Sequence, residues 1–572
     1  MNRKPFRLSR KALFGIAVLA AAGALPVQAA TITVDPTAVD EAADTDGKCS
    51  LREAVISANS NTAVGVCVAG ESAVTDVISL PAGTYTLANG TSDEVEDAST
   101  VGILDVLNTP DPTIGDLDIT ESVTITGAGS AVTTIDAASL DRIFHVNAAT
   151  GTIDVAISGV KLTQGYTTAV DLGAGPASGS GPLETRYWLR RAGGALAVGP
   201  AAAVVLVDPN VTGQANSEGR GGSQKPLEPD EGGATLTLRL DDVVVDGNHA
   251  DGDGGGIYTA AAMAATGVVV SNNNALTNGG GIYNEGNTTI TGTTITENAA
   301  EGGGGIFMTG SNTVNIIGTT LSLNRAVGGG AISGRSGMTL NLVNSTLSGN
   351  IGDDVGAGLY TNGSANLNFV TIANNFAGSD SATQGSGINV FPASQQANAV
   401  TLKNVLLAGN KRSWAEGMDA TQIAALPSAN CGTTGGGVPV TTLGGNLSSD
   451  TTCDAWLNIG FFNSTDFSNV DPKIGDLADN GGPTYTHALA ADSPAQGRGM
   501  TDPAITVDQR GVGRQTPPDI GAFELVTTDP TPFSGGGGGG CAVGGEGRLD
   551  PTLPAMLAAA LALFGWRRRA VK

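Results

Sequence analysis

Few residues in this chain are suited to chemistry, and they are scattered. Gly352-Asp353-Asp354 sets two carboxylates side by side, the residue type that serves as acid and base at a glycosidic bond. With Asp251 and Asp253 they can line one turn edge of a repeating structure, with Arg325 or Arg335 nearby. Carboxylates holding Ca²⁺ beside a basic arginine are the equipment for elimination across an acidic sugar. Asp353, Asp354 and Arg325 are therefore the catalytic candidates, and Ca²⁺ is the one candidate ion in an otherwise empty cofactor set. His145, His249 and His487 are widely separated, which argues against a His-rich metal centre. No G-x-S-x-G, HExxH or P-loop pattern is present. Arg186-Tyr187-Trp188-Leu189-Arg190-Arg191 is the one basic-aromatic cluster, suited to stacking on a sugar or to packing as a loop.

The element that must position these residues is a repeat. Val243-Val244-Val245-Asp246-Gly247-Asn248 recurs as Val268 to Asn273, Thr293 to Asn298, Thr319 to Asn324, Ser345 to Asn350 and Val370 to Asn375, with a weaker copy from Val405 to Asn410. A second marker keeps the same time: Gly254-Gly255-Gly256-Ile257-Tyr258 returns as Gly279-Gly280-Gly281-Ile282-Tyr283 and Gly303-Gly304-Gly305-Ile306-Phe307. A period of about 25 residues holding three short β-prone runs suits a right-handed parallel β-helix, an all-β solenoid whose strands stack one coil above the next. Inward Val, Ile, Leu and Ala then form continuous apolar rows. Asn248, Asn273, Asn298, Asn324, Asn350 and Asn375 are expected to form a ladder of amides bonded from coil to coil, each Asn sitting in a turn and tolerating the left-handed conformation. A leucine-rich repeat shares the Asn and the period, but needs several Leu per repeat and a helical outer segment.

Composition agrees. There are 84 Gly, with 15% charged and 4% aromatic residues, a mix that helices avoid, and 40% apolar residues, too many for a disordered chain. Arg3, Lys4, Arg7, Arg10 and Lys11 precede an apolar run to Leu25, and Val27-Gln28-Ala29 offers a cleavage site after Ala29, as a secretory signal peptide requires. The net charge of −25 becomes more negative once that segment is removed, and an acidic surface repels nucleic acid. In an oxidising compartment Cys49–Cys67 and Cys431–Cys453 read as disulfides at the two ends of the array, leaving Cys541 with the tail.

Three motifs carry a resemblance. Cys49-Ser50-Leu51-Arg52-Glu53-Ala54 has capping-box spacing between Ser50 and Glu53 and an apolar helical face, and it resembles the CSLREA motif at the N-termini of exported bacterial β-helix proteins. Asp479-Asn480-Gly481-Gly482-Pro483, with His487, Asp508-Gln509-Arg510-Gly511 and Asp519 to Glu524, resembles the choice-of-anchor Q region that ends many of them. His487, Asp508, Arg510 and Glu524 invite a catalytic reading, though interlocked charges equally suit a terminal cap. Cys541, a short apolar stretch to Trp566 and Arg567-Arg568-Arg569 resemble the sorting tails called JDVT-CTERM. The signal peptide makes the export machinery one expected partner; the tail's resemblance implies a second, an intramembrane protease that cuts near Cys541, and attachment at the cell surface or outer membrane of a Gram-negative bacterium, with extracellular release as the alternative.

The expected organisation is signal peptide 1–29, N-terminal cap 30–75, irregular first coils 76–240 with loops at 166–192 and 213–233, regular coils 241–415, C-terminal cap 416–526, glycine linker 527–540 and sorting signal 541–572. The expected function is a structural, adhesive or glycan-binding surface protein, meeting extracellular polysaccharide or the surface of a host or neighbouring cell and not nucleic acid. The alternative is a lyase or glycoside hydrolase acting on acidic polysaccharide in a groove of the helix.

Overall fold

The computed structural model of the chain describes residues 29–526 apart from 44, 89–111, 148–150, 168–169, 175–185, 200–201, 208–224, 227–234, 392–399, 434–439 and 456–464; of 170–174, 186–191, 202–207 and 225–226 it describes the backbone alone. One coil shows the plan. Ile257–Thr259 lies in a flank sheet, Ala262–Thr266 and Val269–Ser271 form the two halves of a long sheet bent at Gly267, and Asn274–Ala275 lies in a narrow sheet before Ile282–Asn284 rejoins the flank sheet. Each strand pairs in parallel with its counterpart one coil on, so equivalent residues form columns: Val270, Ile295, Leu321, Leu347, Ile372 and Leu407 point inward in one continuous row. A coil alone has nothing to bury its apolar face against; stacking supplies the partner, which is why periodic short strands become a right-handed parallel β-helix.

The asparagines form the expected ladder. Asn273 donates its backbone N–H and its amide to Oδ1 of Asn298 (3.0 and 2.9 Å), and the pattern repeats from Asn248 through Asn375 to Asn410, whose side-chain amide goes on to Asn430 (2.8 Å). The ladder residues do not themselves take the left-handed conformation. That falls one residue earlier, at Gly247, Asn272, Glu297, Leu323, Gly349 and Asn374, all with φ between 55° and 72°. The preceding residue makes the turn facing outward, which aims the following amide into the core, where its hydrogen bonds are all made. In the glycine triplets the first glycine carries positive φ (68° at Gly279), and a Cβ on the second, Gly280, would lie 2.4 Å from the carbonyl oxygen of Ala299.

Helix α1, Leu51–Ser60, plugs the N-terminal end. Its capping box is made by Ser50 and Glu53, and Leu51, Ala54, Val55 and Ala58 join the core. Arg52 is fully buried, its guanidinium donating to both oxygens of Asp40 (3.0 and 3.2 Å) and to the carbonyls of Gly115 and Asp116 (2.8 and 3.1 Å), so Arg52 and Glu53 hold the plug together. Disulfides join Cys49 to Cys67 and Cys431 to Cys453, each with Cα atoms 4.9 Å apart.

Two expectations are revised. The segments read as loops thrown from the first coils instead contain Val170–Ala174 and Arg186–Arg191 in the first and Lys225–Pro226 in the second, which with the intervening Ala202–Val207 pair as a four-stranded antiparallel sheet. The C-terminal region expected to cap the last coil does more than close it. After Leu447–Ser448 completes that coil, residues 471–526 run back along the outside of the long sheet as a strap. Thr484 donates to the Gly318 carbonyl (2.9 Å), Thr320 to the Tyr485 carbonyl (2.6 Å), Thr346 to Gln509 (2.7 Å), and the N–H of Ala522 to Thr371 (3.0 Å). Thr320, Thr346 and Thr371 form one outward column, so the solenoid presents a hydroxyl on each of three successive rungs, and the strap satisfies them over a small second core that includes Leu406, Leu489, Ile520 and Phe523.

Candidate functional site

The narrow sheet brings Arg325 and Asp353 together. Arg325–Gly328 pairs with Ile351–Val355 through a register shift between Ala326 and Gly328, and Asp353 and Asp354 sit in the irregular stretch. Such irregularities re-aim side chains at a sheet's edge. Arg325 Nε is 2.9 Å from Asp353, and its Nη1 is 3.4 Å from Glu416. Glu416 arrives on a loop that follows Asn410 and carries the exposed helix α2, Ala420–Ala425. Trp414 of that loop donates its N–H to the Ala377 carbonyl (2.9 Å), and its ring lies beneath the guanidinium at 5.8 Å. The arginine is thus shared among two carboxylates and an indole, an arrangement that ties the loop to the sheet. Asp354 differs: burial raises its carboxyl above the ordinary aspartate range.

Asp251 and Asp253 lie on the same edge but do not join this group. Through the pairings His249–Asn274–Ala299–Arg325–Ile351, Asp251 is four rungs from Asp353, about 19 Å at about 4.8 Å per rung. Asp251 instead accepts from His249 (3.0 Å), whose ring stacks on Tyr166 at 4.7 Å. Asp253 accepts from the Thr277 hydroxyl (2.6 Å) and from the backbone and side chain of Asn278 (both 3.0 Å). A single Ca²⁺ spans about 5 Å between opposing oxygens, so these four acids cannot share one. Among the described residues no three His, Cys, Asp or Glu side chains gather as metal ligands. Arg335 stands apart as well, its guanidinium stacked on Phe307 at 5.2 Å on the flank-sheet side.

The flank sheet carries a column that sequence reading missed. The outward residue of each strand runs Asp118, His145, Ala197, Tyr258, Tyr283, Phe307, Ser333, Tyr360, Asn389. Tyr258, Tyr283 and Phe307 stack with centroids 5.3 Å apart, and Tyr283 donates to Glu285 (2.9 Å), whose carboxyl is raised by burial. His145 Nδ1 lies 3.2 Å from Asp118. The signal was present in the aromatic that follows each Gly-Gly-Gly-Ile, which the repeat reading used only as a turn marker. These rings are buried face to face and serve packing.

The C-terminal quartet is held in a dense network of hydrogen bonds within the strap and against the long sheet. Asp508 accepts from the backbone of Arg510, Val512 and Glu524 and pairs with the Arg510 guanidinium (2.8 Å); Glu524 accepts from the backbone of Gln515 and Asp519 and pairs with Arg514 (3.2 Å). Arg510 and Arg514 lie 3.6 Å over the rings of Phe523 and Phe369. Burial lowers Arg514 to about 10 and raises Asp519 and Glu524. His487, on the strap, is buried against the long sheet with Nδ1 on the Gly475 carbonyl (2.7 Å) and Nε2 on the Ser348 hydroxyl (2.9 Å), and burial holds it below the ordinary histidine value. The side chains of the basic-aromatic cluster 186–191, and Cys541 with the whole tail, lie outside the described residues.

No family model matches this chain, and no curated protein matches it. Among solved structures it is similar to the crystal structure of pectate lyase Pel9A, with a TM-score of 0.39 at 12% identity over 81% of this chain and 93% of that one. It is also similar to the crystal structure of DFA-IIIase from Arthrobacter chlorophenolicus A6, with a TM-score of 0.29 at 13% identity over 73% and 91%. Neither likeness is close enough to carry residue roles across.

Proposed function

We propose that this chain is an exported β-helix protein held at the cell surface, where it binds glycan without cleaving it. The observation that carries this reading is the use made of Arg325: its guanidinium tethers the loop of Trp414 and Glu416 to Asp353, so it serves the surface rather than a reacting sugar. Two disulfides and a basic-then-apolar N-terminus support export. Sorting through an intramembrane protease, with Cys541 as the processing point, belongs to the same proposal. The test is a glycan panel probed with the secreted protein alongside lyase and hydrolase assays on acidic polysaccharides. Binding without turnover is expected; turnover abolished by Asp353→Ala would sink the reading.

A second reading rests on Asp354. A carboxyl raised by burial, next in the chain to an aspartate that an arginine pairs with, puts two acids in unlike surroundings, the starting arrangement for dividing acid and base roles in glycoside hydrolysis. Release of reducing ends by the wild type and its loss in Asp354→Asn would favour it.

A further inference from the structure

The first half of the long sheet presents a face unlike the rest of this acidic molecule. Its outward residues form three rows along the solenoid: Asn287, Thr313, Thr339, Ser364; Thr289, Asn315, Asn341, Asn366, Thr401; and Thr291, Ile317, Val343, Asn368. None of these thirteen is charged. Charge returns upstream at Arg239 and Asp241, and in the last rung, where Lys403 continues the third row beside Thr401 and pairs with Asp502 (2.9 Å). Asn is a poor strand former, yet it occupies the middle row on three successive rungs. There Asn341 donates to Asn315 (2.8 Å) and Asn366 to Asn341 (2.9 Å), a second amide ladder outside the core. An amide has two N–H donors and two lone pairs; the ladder engages one of each at Asn341, an acceptor at Asn315 and a donor at Asn366, so each amide keeps at least one donor and one acceptor outside the ladder.

The strap borders this face along one side. It abuts the bend of the long sheet at Gly318 through Thr484, at Asn344 through the Val507 carbonyl (2.8 Å) and at Asn368 through Asp502 (2.9 Å). Two of its apolar side chains stay open to solvent: Tyr485 is 55% exposed and Val507 42%. From Thr289 to Thr401 the face runs four rungs, about 19 Å.

We infer that this face, beside the strap, binds a neutral polysaccharide lying along the solenoid axis. The inference rests on the glycan-binding reading above and assigns it a place and a ligand class. An uncharged face in a chain of net charge −25 removes the repulsion an acidic surface would offer a carboxylated polymer only locally, while its alternating donors and acceptors suit hydroxyl groups that recur along a sugar chain. An exposed tyrosine on the strap supplies a surface for stacking a sugar ring. The edge that carries Arg325, Asp353 and Trp414 belongs to the narrow sheet, so the two surfaces can be separated by mutation.

The experiment measures binding of cellohexaose, xylohexaose and mannohexaose, with hexagalacturonate as the anionic counterpart, to the secreted wild type, Asn341→Asp, Tyr485→Ala and Trp414→Ala. Thermal unfolding of each variant establishes that it is folded, and Tyr485→Ala leaves intact the backbone carbonyl by which the strap is held. At least one neutral hexasaccharide is expected to bind, about tenfold more weakly to Asn341→Asp and Tyr485→Ala, with Trp414→Ala unchanged. Neutral-sugar binding lost only in Trp414→Ala overturns the placement while glycan binding stands. Preference for hexagalacturonate overturns the ligand class. Failure of every sugar to bind the wild type overturns both readings, as does an oligomer that Asn341→Asp dissociates without any sugar binding.

Discussion

Replacing Asn324 by Ala interrupts the inner ladder at its middle. The Asn324 side chain accepts at Oδ1 from the Asn298 backbone N–H (3.1 Å) and amide (3.0 Å), and its own amide donates to the Ile295 carbonyl (2.9 Å) and Asn350 Oδ1 (3.0 Å). Four hydrogen bonds go at once in a site sealed from water. The Asn298 side-chain amide keeps the carbonyls of Val270 and Thr296, and Asn350 Oδ1 keeps the Asn324 backbone N–H, whereas the Asn298 backbone N–H loses its partner. One orphaned buried donor costs about 1–3 kcal/mol, and three further bonds at roughly 0.5–1.5 kcal/mol each bring the loss to between about 2.5 and 7.5 kcal/mol. Asn366→Ala removes one outer-ladder bond at an exposed position and should change stability by no more than about 0.5 kcal/mol. Guanidinium unfolding midpoints compare the two, and hydrogen exchange read by mass spectrometry locates the damage, since coils couple chiefly to their neighbours and need not unfold as one unit. Exchange should quicken in the coils bearing Asn298, Asn324 and Asn350 before it does elsewhere. If Asn324→Ala is as stable as Asn366→Ala, or exchange rises evenly over the chain, the ladder does not hold adjacent coils together.

Three other outcomes follow from the packing. Because burial depresses His487, the unfolded state takes up a proton near pH 6.5 that the folded state refuses; stability is full above that value and falls by up to about 1.4 kcal/mol per pH unit as pH drops toward the folded value, so wild type should lose more Tm between pH 7 and pH 5.5 than His487→Gln does. Joint replacement of Cys49 and Cys67 by Ala opens a loop with a sequence separation of 18 and should cost about 3 kcal/mol, detected as earlier proteolysis around helix α1 with later coils still protected. Arg52→Ala leaves the buried Asp40 carboxylate without its guanidinium and should cost about 3–5 kcal/mol in denaturant unfolding, a larger loss than Arg325→Ala, whose partners remain hydrated.

The periodic part of the fold is legible from composition and spacing because each coil solves the same problem. Asn at intervals of 25 or 26 residues, an apolar residue three before it and glycine triplets between them are local requirements, repeated until they are unmistakable. The capping box at Ser50 and Glu53 and both disulfides were legible for the same reason, being set by residues close in sequence. Asn430, the last rung of the inner ladder, was not, since it follows Asn410 by 20 residues and so falls off the beat.

What only the tertiary structure decided concerns residues that meet across coils or across the length of the chain. Asp251 and Asp353 look interchangeable in sequence, but each coil separating them adds one rung, which sends them to separate partners. Glu416 reaches Arg325 from 91 residues away, and His487 meets Ser348 at a separation of 139, distances over which no repeat carries information. The course of the strap was decided by the column of outward hydroxyls that parallel stacking creates, and that column exists only once the coils are in register. A repeat specifies its own interior; which surface a non-repeating segment then covers depends on the geometry of the finished solenoid.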